Sequence, residues 1–474
     1  MNSFYRKVAF GIGPVEKDPK DQLEWALNQL NTIPPLQWKG TIPKEKTLRK
    51  KLESFTLETR KLRKKFKNNN KGFKEARKIA AFNSGHHYWE PLEYSIRHYQ
   101  TLNSPSPVLE RFWLFWANHF AISKKNSLQN YSTGAYTRET IRANLTGSFE
   151  HMLSKVTLSW TMLRHLDNKD SVGPDSDRGK KIHKKRKSSS INENHARELL
   201  ELHTISPASG FTQQDVIQLT YIMTGWGFKP NKQKLPTGDV FFDQNKHQPG
   251  RKKVLGRYYR EGKNAIFQVM KDLSNHPDCR KNIATKLCKH FISDRPTQDM
   301  IQPIVQAWEK SKGSLIEIHK ATIRVAYQYA NIKKLQNPEV WLLQIAKMTD
   351  MNWPTSYQQM SHYTFDEKTK LKNILHNKNI MKELGHLPFS PSQPNGWPET
   401  ESDWMSPELM ARRLVYAQYV WSLIKENNKN EIFYKNLVYK NFDQPDRLWK
   451  ILHRQSSLMN LHTMLFNTPE VLKI

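Results

Sequence analysis

Ile191–Phe228 reads INENHARELLELHTISPASGFTQQDVIQLTYIMTGWGF, and its apolar period decides the fold class. At 100° per residue, Asn192, Ala196, Leu199 and His203 fall on one face, with Leu200 and Leu202 near its edges. Asn194, Glu198 and Glu201 form a neighbouring stripe, and Arg197 reaches Glu193 or Glu201 as an i±4 partner. The spacing predicts a helix that Asn192 or Asn194 caps at its start. Gly210 marks a turn, and a second helix runs on to Thr224-Gly225-Trp226-Gly227. So many hydrogen-bonding side chains among leucines point to a polar seam that is either buried or faces a ligand.

Upstream, residues 1–40 read as a short opening segment with a helix around Asp21–Asn31. Residues 41–82 read as a basic helical segment. Between positions 44 and 78, fifteen Lys/Arg stand against four Glu, and Leu48, Leu52, Phe55, Leu57 and Leu62 recur near the helical period. Asn68-Asn69-Asn70 breaks that helix before a second one, Gly72–Phe82. Residues 83–474 read as the main helical domain, continuous with 1–82. Within it, Pro105–Ser123 is an aromatic-dense helix with little room for a polar face, Thr133–Leu153 is a helix with Gly147 as a break before Phe149, Val156–Asp167 is another, and 168–190 is an exposed basic loop. The extended region is 234–255, with a strand at Val240–Phe242 and a turn at Pro249-Gly250. Helices then resume to the end, interrupted by a Pro- and Trp-rich stretch at Pro388–Pro407. The expected fold is mainly α, a multi-helix bundle with one small β-hairpin or extended excursion near 234–255.

The chain of 474 residues can bury a sizeable core, and fourteen Trp with twenty-one Phe argue for one despite 37% hydrophobic content. No apolar run approaches the ~18 residues that span a bilayer, and the start MNSFYRKVAFGIGP lacks the apolar region of a signal peptide. On that ground the expected compartment is cytoplasmic. Cys279 and Cys288 are nine residues apart in one predicted helix, too far round and along it to bridge, so they read as buried thiols. The net charge of +31 attracts polyanions, although a Lys- and Asn-rich proteome produces such a balance without selection for binding.

The ordered motifs resemble a bacterial family catalogued as domain of unknown function 1800. Arg6–Gly13 is similar to its opening, and Phe115-Trp116-x-Asn118-His119-Phe120 to its Phe-Trp-x-Asn-His-Phe helix. Leu166-Asp167-Asn168, Asn192–Thr204 and Phe211–Trp226 resemble its central motifs. His276-Pro277, Lys286–Phe291 and Gly396-Trp397-Pro398 resemble its later ones. The resemblance implies no established activity, cofactor or substrate. It does imply a gene neighbourhood, because many relatives occur beside a gene for an alkaline-phosphatase-like protein, a partner by association. Two departures stand out. The family's His-Asp-x-Gly reads His247-Gln248-Pro249-Gly250 here, and the export signal of many relatives, which implies an extracytoplasmic site, is missing.

His119, Asp167, Glu198 and His203 are of the types that supply acid/base groups or metal ligands. The helical metal spacings HExxH and paired ExxH are absent, since Glu201 and His203 are two apart and diverge. No metal or cofactor is therefore assigned. Asn118, Asn168, Asn192, Asn194, Arg197, Glu201, Trp226 and His247 are the candidate ligand-binding residues. The same residues serve equally well as a satisfied internal network. Lys61, Arg63, Lys64, Lys65, Lys184, Lys185 and Arg186 are candidate contacts to a polyanion or nucleic acid, without the motif of a known nucleic-acid-binding fold. P-loop, GxGxxG and GxSxG motifs are absent, which sets aside nucleotide-dependent and serine-hydrolase chemistry. The favoured reading is a helical binding or accessory protein with a central polar pocket. A hydrolase-type enzyme using the Glu/His/Asp seam and a polyanion-binding protein are the alternatives.

Overall fold

Pro107–His119 (PVLERFWLFWANH) has almost no polar face, and a helix apolar all round has to be surrounded. In the computed structural model, which describes residues 3–123, 130–184, 191–228, 240–351 and 377–474, it is the axis of the main core. Phe112, Trp113, Phe115 and Trp116 are all buried there. The elements before it are α1 (Phe4–Val8), α2 (Gln22–Asn28), α3 (Glu45–Lys65), α4 (Asn70–Asn83) and α5 (His86–Asn103), and Pro107–His119 is α6. Asp21 caps α2 by accepting from the Glu24 amide, as its place at the head of that helix requires.

Helix α5 is absent from the sequence reading, because it contains Pro91 and buries Glu93, Arg97, His98 and Gln100. Three buried ion pairs explain how charges can face the core. Arg97 Nε lies 2.7 Å from Glu339 Oε1, Arg138 Nη2 2.6 Å from Glu93 Oε1, and Arg142 Nη2 2.6 Å from Glu110 Oε1. Arg138 and Arg142 lie where the chain after α7 (Thr133–Tyr136) widens into a π turn (Thr137–Ile141) and tightens into a 3₁₀ turn (Arg142–Asn144). The helix expected over Thr133–Leu153 is thus interrupted earlier than its expected break, while after Gly147, where that break was placed, α8 begins at Phe149 (Phe149–Thr157), capped by Ser148.

Helix α9 (Trp160–His165) leads into the segment expected as an exposed loop. Instead, a 3₁₀ turn (Asn168–Asp170) and α10 (Asp177–Lys184) occupy its first part. Gly179 makes this seat possible, since a Cβ there would stand 2.2 Å from the Gly173 carbonyl oxygen. Helices α11 (Asn194–Glu201) and α12 (Gln213–Met223) follow, the second opened by a Thr212/Asp215 capping box. The Thr224–Gly227 stretch then becomes β1 (Trp226–Phe228), antiparallel to β2 (Val240–Phe242) with Trp226 opposite Phe242. A second hairpin pairs β3 (Lys252–Val254) with β4 (Arg257–Tyr259) through Leu255-Gly256, both at positive φ as a type I′ turn requires. The fold is mainly α with two small antiparallel hairpins.

Helices α13 (Ala265–Ser274), α14 (Pro277–Phe291), α15 (Gln298–Ser311) and α16 (Leu315–Gln328) complete the main core, and α17 (Pro338–Thr349) opens a second one. Cys279 and Cys288 are buried free thiols on α14. The second core joins Tyr94 of α5 and the inner face of α17 to the helices between Asn377 and Leu472, of which Glu431–Asn441 is another that the sequence reading lacks. The first residues close onto the last. Arg6 donates from Nε to the Asn441 carbonyl (3.0 Å) and from Nη1 to the Glu470 carbonyl (2.8 Å), while Lys7 Nζ donates to the Ile332 carbonyl (2.6 Å).

Candidate functional site

His119, the last residue of α6, and His203, just beyond α11, come together as the seam requires. The His119 Nε2–H donates to the His203 carbonyl (3.3 Å), and the ring centroids lie 6.2 Å apart. Phe115, Trp116 and Phe120 pack around the His119 ring. Burial first, then Lys286 and His203, holds the His119 imidazole well below its ordinary range. His203 is depressed likewise by burial, then by His195 and Lys286. His195, the second residue of α11, is pushed down to about 3 by burial, and neither of its ring nitrogens has a hydrogen-bond partner among the described residues. Lys286 and Asn282 on α14 clamp the end of α11, donating to the Leu202 (2.8 Å) and Thr204 (2.6 Å) carbonyls. Burial favours the neutral form of all three imidazoles, and aromatic rings pack on His119 and His203. Among the described residues no group of three His, Cys, Asp or Glu side chains is placed to hold one metal ion.

Asn118 turns the other way. Its Nδ2 donates to the Trp397 carbonyl (2.9 Å), and its Oδ1 accepts from the Trp397 amide (2.7 Å). Gly396 lies at φ +81°, with the Asn118 carbonyl oxygen 2.4 Å from where a Cβ would stand, so only glycine fits. Beside this turn Glu399 accepts from His290 Nδ1 (2.8 Å), and Lys334 bonds the Glu399 carbonyl and the Asp294 carboxylate. Burial raises the Glu399 carboxyl, but His290, Lys334 and Arg111 outweigh it and hold it down at about 2. Arg111 lies between Phe10 and Phe291, with Nε and Nη1 lacking partners among the described residues. The sequence reading reached this charged cluster only through Asn118. Its remaining signal was Gly396-Trp397-Pro398-Glu399, which carries the turn.

Asn168, Trp226 and His247 build a third group, around the turn that leads into β1. Asn168 is buried and donates from Nδ2 to the Met223 (3.1 Å) and Trp226 (2.9 Å) carbonyls, while Asp167 before it takes the left-handed φ of +56°. His247 Nδ1–H donates to the Thr224 carbonyl (2.9 Å), and its Nε2 accepts from the Gly262 amide (3.0 Å). Both ring nitrogens are thereby engaged. The outer face of α11 is an ion-pair surface. Arg197 meets Glu193 (3.2 Å) and Glu201 (3.4 Å), and reaches Gln213 (2.6 Å) at the head of α12. Asn192 accepts from the Asn194 amide (3.0 Å) in a turn just ahead of the helix, but the capping position is Glu193, which makes no side-chain cap bond, so the expected asparagine cap is not formed; Glu198 is half-buried on the same helix.

Trp226 has a second side. With Phe241 and Phe242 of β2 and Phe267 of α13 it lines an open cleft of about 930 Å³. The Trp226 ring lies 5.4 Å from Phe242 and 5.9 Å, edge-on, from Phe267, which is 38% exposed. The facing wall is the polar side of α8, with Glu150, His151, Ser154 and Lys155. His119, Asp167, Glu198 and His203 do not line this cleft. The sequence reading named only Trp226 here. The Phe241-Phe242 doublet and the Glu150-His151 pair were the signals that could have found the rest.

Of the candidate polyanion contacts, Lys61, Arg63, Lys64 and Lys65 are exposed near the end of α3, and Lys184 is exposed at the end of α10. Lys185 and Arg186 lie outside the described residues.

The geometry defines a mainly α protein with buried histidines His119, His195 and His203 in its interior and an open aromatic cleft. The family model for proteins of unknown function designated DUF1800 matches residues 3–470, and the chain belongs to that family. No curated protein and no solved structure matches it.

Proposed function

We propose that this protein is a binding protein whose recognition site is the cleft between α8 and the β1–β2 hairpin, and that its ligand is a saccharide chain. The observation that carries this reading is that one cleft is lined both by four aromatic side chains, Trp226, Phe241, Phe242 and Phe267, and by Glu150, His151, Ser154 and Lys155. A sugar ring offers C–H faces for stacking on aromatics and hydroxyls for hydrogen bonding to polar side chains, so it meets both walls at once. Asn168 and His247 then act as positioning residues, because they hold the Thr224–Trp226 turn that carries Trp226 into the cleft. The hydrolase alternative draws on His119, Asp167, Glu198 and His203, and the two histidines among them are enclosed by packing and held neutral.

The test is affinity electrophoresis of the full chain through gels containing soluble neutral polysaccharides. We expect retardation in at least one gel, weakened by about tenfold or more in Phe242→Ala and Phe267→Ala and unchanged in Glu198→Gln. Uniform mobility in every gel, or retardation indifferent to both phenylalanines, rejects the proposal. Release of reducing ends that Glu198→Gln abolishes transfers the case to the enzyme.

A further inference from the structure

Helices α3 and α4 form a hairpin of unusual composition. Helix α3 buries Leu48, Leu52 and Phe55, all in its first half. Helix α4 has fourteen residues and buries none of them. Yet α4 is not polar throughout, because Phe73, Ala76, Ile79 and Ala80 recur at helical spacing along one side. In most amphipathic helices such a stripe is covered by a core. Here it faces an open groove of about 700 Å³, floored by Phe55, Leu62, Ala76 and Ile79 and rimmed by Lys50 and Lys51, with Glu58 the one carboxylate on its lining. Ile79 is 62% exposed and Leu57 36%. Further basic groups lie over aromatic rings of the hairpin, with the Arg63 guanidinium 5.7 Å from the Phe73 ring centroid and that of Arg77 5.9 Å from Phe55.

Charge separates this hairpin from the rest of the chain. Residues 45–83 carry fourteen Lys/Arg against four Glu, a net +10 out of the +31 of all 474 residues. A Lys-rich proteome would spread its excess along the sequence, and this concentration is local. An exposed apolar stripe within a dense cationic field is the pattern of a helix that lies in a lipid–water interface. At 1.5 Å per residue, the fourteen residues of α4 present roughly 20 Å of such surface. No described helix is long and apolar enough to cross a membrane, so the contact is with its surface.

We infer that the α3–α4 hairpin docks this protein on an anionic lipid bilayer, with Ile79 and its apolar neighbours entering the headgroup boundary and the lysines meeting acidic headgroups. Nucleic acid would satisfy the charge but offers no apolar phase to the stripe, which is why lipid is the better fit. This site is independent of the cleft.

The test is co-sedimentation of the full chain with vesicles of phosphatidylcholine alone, or mixed three to one with phosphatidylglycerol, alongside a duplex DNA retention assay. We expect binding at least tenfold stronger to the anionic vesicles, falling as salt rises. Ile79→Glu, a surface change, should weaken vesicle binding about tenfold. Lys61, Lys64 and Lys65 changed together to Ala should weaken it on the order of a hundredfold. Equal binding to both vesicle types overturns the inference. So does vesicle binding indifferent to Ile79→Glu, or DNA retention stronger than anionic-vesicle binding at the same salt.

Discussion

Gln248 bridges two segments of the chain through both ends of its side-chain amide. Its amide Nε2 donates to Asp175 Oδ2 (2.7 Å), its Oε1 accepts from the Asp175 amide (3.0 Å), and its own amide donates to Thr224 Oγ1 (2.8 Å). The side chain must therefore donate and accept at once, and a carboxylate can only accept. Gln248→Glu keeps the length, removes the donor and sets two like charges together. We expect a loss of about 1–2 kcal/mol at pH 7, smaller at about pH 5.5, where two neighbouring carboxyls begin to share a proton. Thermal melts at the two pH values measure it, and an unchanged melting temperature at pH 7 would remove Gln248 from its bridging role.

Among the elements, α5 is the one on which most side chains depend. Arg97 and His98 both meet Glu339, the former through two hydrogen bonds of 2.7 and 3.0 Å, and all three groups are buried. Burial alone would raise the Glu339 carboxyl, yet Arg97 and His98 hold it well below the usual carboxylate range. Removing one partner leaves an uncompensated buried charge. Glu339→Ala should therefore cost about 3–5 kcal/mol, read as a lower urea midpoint, and a shift of under 1 kcal/mol would contradict the burial of this pair.

The same helix shows what a sequence can and cannot disclose. Helix α6 was legible because Phe112, Trp113, Phe115 and Trp116 leave it no solvent face, and α3 because Leu48, Leu52 and Phe55 keep a helical period. Helix α5 was not, because its inward residues are charged and their partners lie far away in the chain, Glu339 being 242 residues beyond Arg97. The seam was half legible. His119 and His203 meet, whereas Asn118, adjacent to His119, points to a turn 279 residues on. The cleft was the least legible part, since its walls come from α8, β1, β2 and α13, and no local pattern announces that they face each other.

At the scale of the molecule, buried histidines set the response to acid. Burial depresses His195, His319 and His462 to about 3 and His386 to about 4. The unfolded chain, with values near 6.5, takes up protons first. The stabilisation these groups give is thus complete above about pH 6.5 and is lost as pH falls from there toward 4. Linkage puts the loss between pH 7 and pH 5 at roughly 2 kcal/mol for each, against a typical total of about 5–15 kcal/mol. We expect cooperative unfolding between about pH 4 and 5, followed by near-ultraviolet circular dichroism. A native spectrum maintained at pH 4 would show that these imidazoles are solvated.

The closure of Arg6 on the Asn441 and Glu470 carbonyls has a consequence in time. On a ribosome adding about 5–20 residues per second, the partners of the first strand of sequence arrive tens of seconds after it emerges. Through that interval Phe4, Val8 and Phe10, all buried in the finished protein, have only part of the surface that will cover them. A nascent chain built this way is a natural client for a chaperone that shields apolar segments near the exit tunnel.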